Sequence, residues 1–410
     1  MAKFIMVGCD LHDKSMLLKI AEDHGKPIVR TWCTDGVARQ AMILDLKRRA
    51  KSCGATRIIF AYEACGFGFR LHDELKAAGI ETYVLAPSKM ARSPKHRRAK
   101  TDEKDAQHIL DIIRSFIFGG VEMPSVWVPD LATRDDRELV RRRLAIAEDK
   151  SAAQVRIRWL LKGHGIDEPS AKAWTEAYWR WLEQLAGGQL PPGAAAALAS
   201  LMRQVQWLKE EILRLDAQVK ALSQTPRYAA KVGAVCRHKG VGLLTAMVFL
   251  SEMGDLSRFA NRQKVGAFLG LVPDSYESGE NKDHKGHITR QGPSRVRKVL
   301  CQAVWSRLRT DQCERLAYDR IVARNPKHKK IAVVARMRMM AITMWHHGLA
   351  AQEATRAQAQ PVNPTQAARS SPTAGTRWDP TAAIAPPDGT CREQQRRGKT
   401  RLPPCPSTPR

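Results

Sequence analysis

Four carboxylates sit where hard-cation chemistry could use them. Asp10 closes the apolar run FIMVGCD, Glu63 closes a second, IIFAYE, and Asp102 and Asp105 open a helical stretch in AKTDEKDAQHI. Magnesium prefers oxygen donors and keeps waters and substrate phosphates in its remaining positions. Two such ions activate an attacking oxygen and stabilise a leaving one in phosphodiester chemistry. A spacing of three puts Asp102 and Asp105 on one helix face, about 5–6 Å apart at Cβ. Directly before them lies the densest cationic run, with Lys95, His96, Arg97, Arg98 and Lys100. Cations gather phosphate, and acids among them make sense when a bound metal bridges the two. One acid alone reads as a cap or a solvated side chain; four at strand ends and one helix face read as a Mg2+ site.

A second constellation lies towards the C-terminus. The stretch SYESGE holds Ser275 and Ser278, and after it comes KDHKGHITRQGPSRVRKVL, with Lys282, Lys285, Arg290, Arg295, Arg297 and Lys298. A loop serine before glycine is ordinarily a turn residue, and a serine hydroxyl needs activation before it attacks anything. The arginine forks suit phosphate oxygens, so this density fits backbone positioning rather than base reading. Upstream, Gly240–Gly242 read GVG before an apolar helix, a turn whose N–H groups can face a phosphate.

The elements that must position these groups follow from periodicity. KFIMVGCD, SMLLKIAED and PIVRTWCT read as three strands joined by tight turns. A helix from about Gly36 to Ala50, strand ATRIIFAYEACG, helix FRLHDELKAAG and strand IETYVLAP follow. The order βββαβαβα predicts an α/β layer structure around a mixed sheet, with the acids at its strand ends. From about residue 131 the pattern is helical. Leu201, Val205, Leu208, Ile212, Leu215, Val219 and Leu222 form a heptad seam. Its partner is the arginine-rich helix of 134–162, either in the same chain or in another protomer. Between them, AWTEAYWRW offers rings that either pack a helix corner or stack on bases. Residues 351–410 carry ten of the 22 prolines and no periodicity, which predicts a disordered basic tail. The expected division is 1–125 for the α/β domain, 126–230 for a helical, coiled-coil part, 231–350 for a mainly α domain with a helix-hairpin-helix-like turn, and 351–410 for the tail.

Composition narrows the partner. Lys and Arg number 68 against 41 Asp and Glu, a formal charge of +27, which favours a polyanion such as nucleic acid. The nine cysteines include no C-x-x-C pair, which argues against a zinc site or a disulfide framework. No run is long enough to span a bilayer and the N-terminal apolar run is too short for a signal peptide. A soluble cytoplasmic protein is expected.

The blocks GCDLHDKS, AYEACGFG and AKTDEKDAQHI resemble the signature blocks of DEDD-type insertion-sequence transposases, the group that includes the Piv DNA invertase. The resemblance runs from about residue 4 to 348 and includes the C-terminal block from HKGVGLL to RVRKVL. It implies a RuvC-like, RNase H-type N-terminal domain whose metal-holding tetrad falls on Asp10, Glu63, Asp102 and Asp105. It also implies a C-terminal serine nucleophile, falling on Ser278 with Ser275 as the competing position. Further implications are DNA as substrate, an element-encoded structured guide RNA and a homodimer or homotetramer. Arg97, Arg98, Lys100, Lys285, Arg290, Arg295 and Arg297 are the candidate nucleic-acid contacts. A water-using Holliday-junction nuclease would share the tetrad but leave the C-terminal block unused. A non-catalytic nucleic-acid binder would explain the charge but not the acids. A kinase of the actin-like fold would need Gly-rich phosphate loops near Asp10, and DLHDKS has none.

Overall fold

The three opening runs form a meander joined by tight turns: the first is buried through its middle, the second alternates half-buried and buried residues, and the third, at the edge of the sheet, is largely exposed. They are β1 (Lys3–Leu11), β2 (Ser15–Glu22) and β3 (Ile28–Cys33). The computed structural model describes residues 3–90, 101–170, 173–275, 285–324 and 326–359. Helix α1 (Gly36–Cys53), capped by Asp35, leads to β4 (Ala55–Glu63); α2 (Arg70–Ala77) leads to β5 (Glu81–Leu85). The sheet order is β3-β2-β1-β4-β5, antiparallel within the meander and parallel from β1 through β4 to β5.

Alternation along the strands divides the core in two. On one face Ile5, Val7, Cys9, Phe60 and Tyr62 meet Met42 and Leu46 of α1 and Leu71 and Leu75 of α2. On the other, Met6, Ile59 and Ala61 meet Ile109, Leu110 and Ile113 of α3 (Asp102–Gly119). The parallel part of the sheet is thus covered on both sides, as such sheets require.

Two long helices follow, α4 (Leu131–Gly163) and α6 (Pro192–Ser223), with the short α5 (Glu176–Gln184) at their far end. The heptad seam faces α4 of the same chain, with Val205, Leu208, Leu215 and Val219 buried. The tryptophans of AWTEAYWRW pack the helix corner: Trp174 lies against Tyr178 and Trp179, with ring centroids 5.1 and 6.0 Å apart. The hairpin does not end at its own core. Val140 and Val219 join the core of the C-terminal region, and Arg141 grips buried Glu252 with bonds of 2.7 and 2.9 Å.

That C-terminal core is built from α7 (Ala229–Val235), α8 (Leu243–Met253), α9 (Arg262–Phe268), α10 (Ser294–Thr310), α11 (Gln312–Arg324) and α12 (Lys329–Ala359). A hairpin of β6 (Pro273–Ser275) and β7 (Lys285–Ile288), absent from the sequence expectation, interrupts the helices. Among the described residues, no helix is long and apolar enough to cross a membrane. The expected disorder after residue 351 falls largely on 360–410, outside the described residues; up to Ala359 the chain continues as helix α12.

Candidate active site

Parity on the strands decides where the acids point. Met6 faces α3, so Gly8 and Asp10 face it too; on β4, Ile59 and Ala61 do the same and Glu63 follows. The parallel register pairs Cys9 with Tyr62, so Asp10 and Glu63 sit side by side one residue beyond the last pair. Glu63 is half-buried there.

Gly8 brings the helix to the strand. A Cβ on it would overlap the carbonyl of Ala106 and stand 2.6 Å from the Leu110 nitrogen, so α3 rests directly on the β1 backbone. That contact carries the first turn of α3, with Asp102 and Asp105, to the strand ends. Thr101 caps the helix by accepting from Lys104 N, and the positive end of the dipole favours acids in the first turn.

A residue that sequence reasoning passed over ties the acids together. His12 Nε2 lies 3.1 Å from Asp10 Oδ2 and 3.4 Å from Asp102 Oδ1. These three residues form a group whose ligand atoms all lie within 4.8 Å of one another. The signal was present, since His12 stands two residues after Asp10 in DLHDKS and an extended chain turns both to one side. Lys19, beside Gly8 on β2, also faces this side and reaches Glu103 at 3.4 Å.

The electrostatics describe a site short of positive charge. Burial raises the Asp10 carboxyl above its ordinary value; His12 opposes this, and the charges of Asp105 and then Asp102 add to it. Crowded carboxylates of this kind are relieved by protonation or by a cation. The donor set of carboxylate oxygens with one imidazole suits a divalent ion. Asp10, His12 and Asp102 are placed to hold one, with Asp105 near enough to act on Asp10 electrostatically.

In the C-terminal region the structure describes the base of the candidate hairpin. Two glycines cross there with positive φ, Gly270 at +63° and Gly292 at +83°. A Cβ on Gly292 would overlap the Phe268 carbonyl, and one on Gly270 would stand 2.6 Å from the Gln291 nitrogen. Thr289 N donates to Val272 O at 3.0 Å, and Arg297 Nη1 donates to the carbonyls of Leu269, Gly292 and Gln291 at 3.1, 3.1 and 3.3 Å. Arg297 therefore holds the turn rather than projecting from it. Arg290 and Arg295 are exposed. Ser275 ends β6 opposite Lys285 of β7. Ser278 and Lys282 lie outside the described residues, as do Arg97, Arg98 and Lys100. The GVG turn precedes α8, with Gly240 at φ +85° against the carbonyl of Ala303, at 2.5 Å from a built Cβ.

Comparison with known proteins covers both regions. A DEDD-type transposase model of IS110 elements matches residues 7–166, and the model described as "Transposase IS116/IS110/IS902 family" matches 233–319. A Sinorhizobium fredii protein whose name reads "Putative transposase y4qE" is 30% identical over 302 residues, 73% of this chain and 71% of that protein. The transposase for insertion sequence element IS1533 of Leptospira borgpetersenii is 25% identical over 309 residues, 74% and 86% of the two chains. The transposase for IS1111A of Coxiella burnetii is 26% identical over 252 residues, 60% and 65% of the two.

Proposed function

The chain belongs to the IS116/IS110/IS902 family of insertion-sequence transposases, enzymes that act on DNA, and from that premise we propose how this copy works. Asp10, Glu63, Asp102 and Asp105 form the metal-holding tetrad, with Mg2+ as the ion, on an RNase H-like sheet. The sheet order 3-2-1-4-5, with two parallel and two antiparallel pairings, supports that fold reading. The observation that carries the site is the packing of α3 on Gly8, which sets a helix start bearing two acids against two acid-ended parallel strands. His12, between Asp10 and Asp102, adds an imidazole nitrogen to the tetrad's donor set.

A bound divalent ion would polarise the scissile phosphate and neutralise charge gathering on its oxygens. The chain's own residues supply the rest. Ser278 Oγ attacks the phosphorus of the DNA backbone, a phosphoserine bond forms, and the displaced sugar hydroxyl leaves with the proton from serine. Attack by the hydroxyl of the incoming strand reverses these steps and frees Ser278. Arg290 and Arg295 meet backbone phosphates, as do Arg97, Arg98, Lys100 and Lys285. Arg297 holds the hairpin base against recoil. A structured RNA encoded by the element pairs with donor and target, supplying sequence choice by base pairing. A homodimer or homotetramer joins the two half-sites. The division at 1–125, 126–230, 231–350 and 351–410 belongs to the same proposal, with the ends of α4 and α6 shared into the third part.

The test is a denaturing gel of the full chain with Mg2+, the element's flanking RNA and labelled junction DNA. A denaturant-resistant protein–DNA band that is lost in Ser278→Ala and in Asp102→Ala is expected. Nicked DNA with no adduct, unchanged by Ser278→Ala, would overturn the nucleophile and favour the water-using nuclease.

A further inference from the structure

The corner between α11 and α12 holds a dense positive patch that neither site above uses. From Arg320 to Lys330 the chain reads RIVARNPKHKK, with Arg320, Arg324, Lys327, Lys329 and Lys330 and no acid. These five side chains are exposed. The ion pairs of the neighbourhood run elsewhere: Arg336 and Arg307 converge on buried Glu314, at 2.5 and 3.3 Å. Glu314 and Tyr318 make the inner face of α11, with Ile321 and Val322 half-buried beside them. Arg320 and Arg324, four residues apart, lie together on the outer face.

Folding gives this patch no reason to exist. Like charges four apart oppose the helix. Lys329 and Lys330 occupy the first turn of α12, where the helix dipole disfavours cations. None of the five forms an ion pair with an acid among the described residues. A cluster unfavourable to the free chain is relieved by a bound polyanion.

We propose that the α11–α12 corner is a separate grip on the phosphodiester backbone of a nucleic-acid duplex. The inference rests on the family's action on DNA but not on the assignment of Ser278 or the tetrad. Flexible cationic stems suit phosphate oxygens and carry no base pattern. Single strands are held on stacking platforms; the corner from Arg320 to Lys330 carries no Phe, Tyr or Trp, Tyr318 and Trp345 beside it are buried, and the exposed Trp305 packs on Tyr318 at the inner face of α11. A duplex is therefore the better fit. Its chemistry is shared by DNA and by paired RNA, and the two are separated by the arms of the experiment.

The experiment is equilibrium binding of the full chain to a random-sequence DNA duplex and to an RNA duplex of equal length, each across a salt series. One variant replaces Arg324, Lys327, Lys329 and Lys330 with Gln. A second, of identical net charge, replaces the scattered exposed residues Lys26, Lys47, Lys209 and Lys220 with Gln. Each lost phosphate contact removes about 0.9 from the slope of log affinity against log salt. The corner variant should lose up to about 3.6 in slope on the duplex it grips, and the scattered variant much less. A loss on DNA alone, or on RNA alone, identifies which duplex is held. Equal losses in both variants, or an unchanged slope in the corner variant, would overturn the proposal. A wild-type chain that bound neither duplex would sink the nucleic-acid reading along with it. A normal thermal midpoint in both variants keeps misfolding out of the comparison.

Discussion

The two candidate half-sites are built by opposite means. The acids at the strand ends stand on regular elements, two parallel strands and one helix, and their directions follow from alternation and the helical repeat. The C-terminal hairpin stands on a backbone crossing, Gly270 against Arg290 and Gln291 and Gly292 against Phe268, fastened by one guanidinium on three carbonyls. The first arrangement suits a metal site, which needs fixed donors. The second fixes where the two strands of the hairpin leave the helices. One glycine contact nevertheless underlies each, since Gly8 alone lets α3 reach β1.

The largest effect should come from the acids. Asp10→Asn should lower the rate of strand cleavage by about 10²–10³, as removal of one preorganised electrostatic group does. Its thermal midpoint without metal should hold or rise, because burial and the charges of Asp105 and Asp102 already burden this carboxylate. A fall in both rate and midpoint would make Asp10 a structural residue. Ser278→Ala should cost the adduct while leaving binding of Mn2+, a spectroscopic stand-in, unchanged.

Next come the glycines. Gly292→Ala must adopt φ +83° against the Phe268 carbonyl, a strain of about 1–3 kcal/mol before any overpacking. Gly8→Ala pushes the start of α3 from the strand, with an overpacking cost also of about 1–3 kcal/mol. Thermal unfolding should show both. Metal affinity should separate them: weakened in Gly8→Ala, unchanged in Gly292→Ala. If both variants bind Mn2+ as the wild type does, α3 does not position the donors.

This contrast also explains what could be read in advance. The order βββαβαβα, the apolar runs of β1 and β4 and the helix start at Asp102 all follow from local patterns, so the sheet elements and the placement of Asp10 at a strand end and of Asp102 and Asp105 at a helix start were legible. His12 was legible too, by its spacing of two from Asp10, but a lone histidine carries little weight until Asp102 arrives from a distant segment. The β6–β7 hairpin was not legible. Its strands are only three and four residues long, and its register depends on a contact between Phe268 and Gly292 that no local pattern encodes. The role of Arg297 was hidden for the same reason: in RVRKVL it looks like its neighbours, and only the fold turns it inward.

Arg297 gives a smaller, sharper test of the hairpin. Arg297→Ala removes bonds from a charged donor to three carbonyls, worth about 1.5–3 kcal/mol for one such interaction. Lysine keeps the charge but lacks the planar fork. If Arg297 is a positioning residue, Arg297→Lys should fail to restore either the thermal midpoint or the adduct yield. Restoration of adduct and salt dependence by lysine would instead make it a phosphate contact.

The smallest effect concerns acid, and it again divides the molecule. In the sheet region, Glu74 is held below the usual glutamate range first by hydrogen bonding from Arg39, at 2.6 and 2.9 Å, against burial, with Arg70 adding to it. In the C-terminal region, burial works against Asp255, but hydrogen bonds from Ser257, Gln352 and Arg356 outweigh it and lower it to about 2. Both groups have folded pKa values below the unfolded ones, so each adds stability above its unfolded pKa, about 4.3 for Glu and 3.9 for Asp. That contribution is lost as pH falls: for Asp255 between about 4 and 2, and for Glu74 on descending from its unfolded value through its lowered one. Asp255 is the more exposed, with 38% of its side chain open against 18% for Glu74, so solvent screening makes its share the smaller. In a pH series of thermal midpoints, Glu74→Gln should flatten the acid limb more than Asp255→Asn. The reverse order would mean that the tie between Asp255 and α12, rather than the Arg39–Glu74 pair under the sheet, governs acid unfolding of the chain.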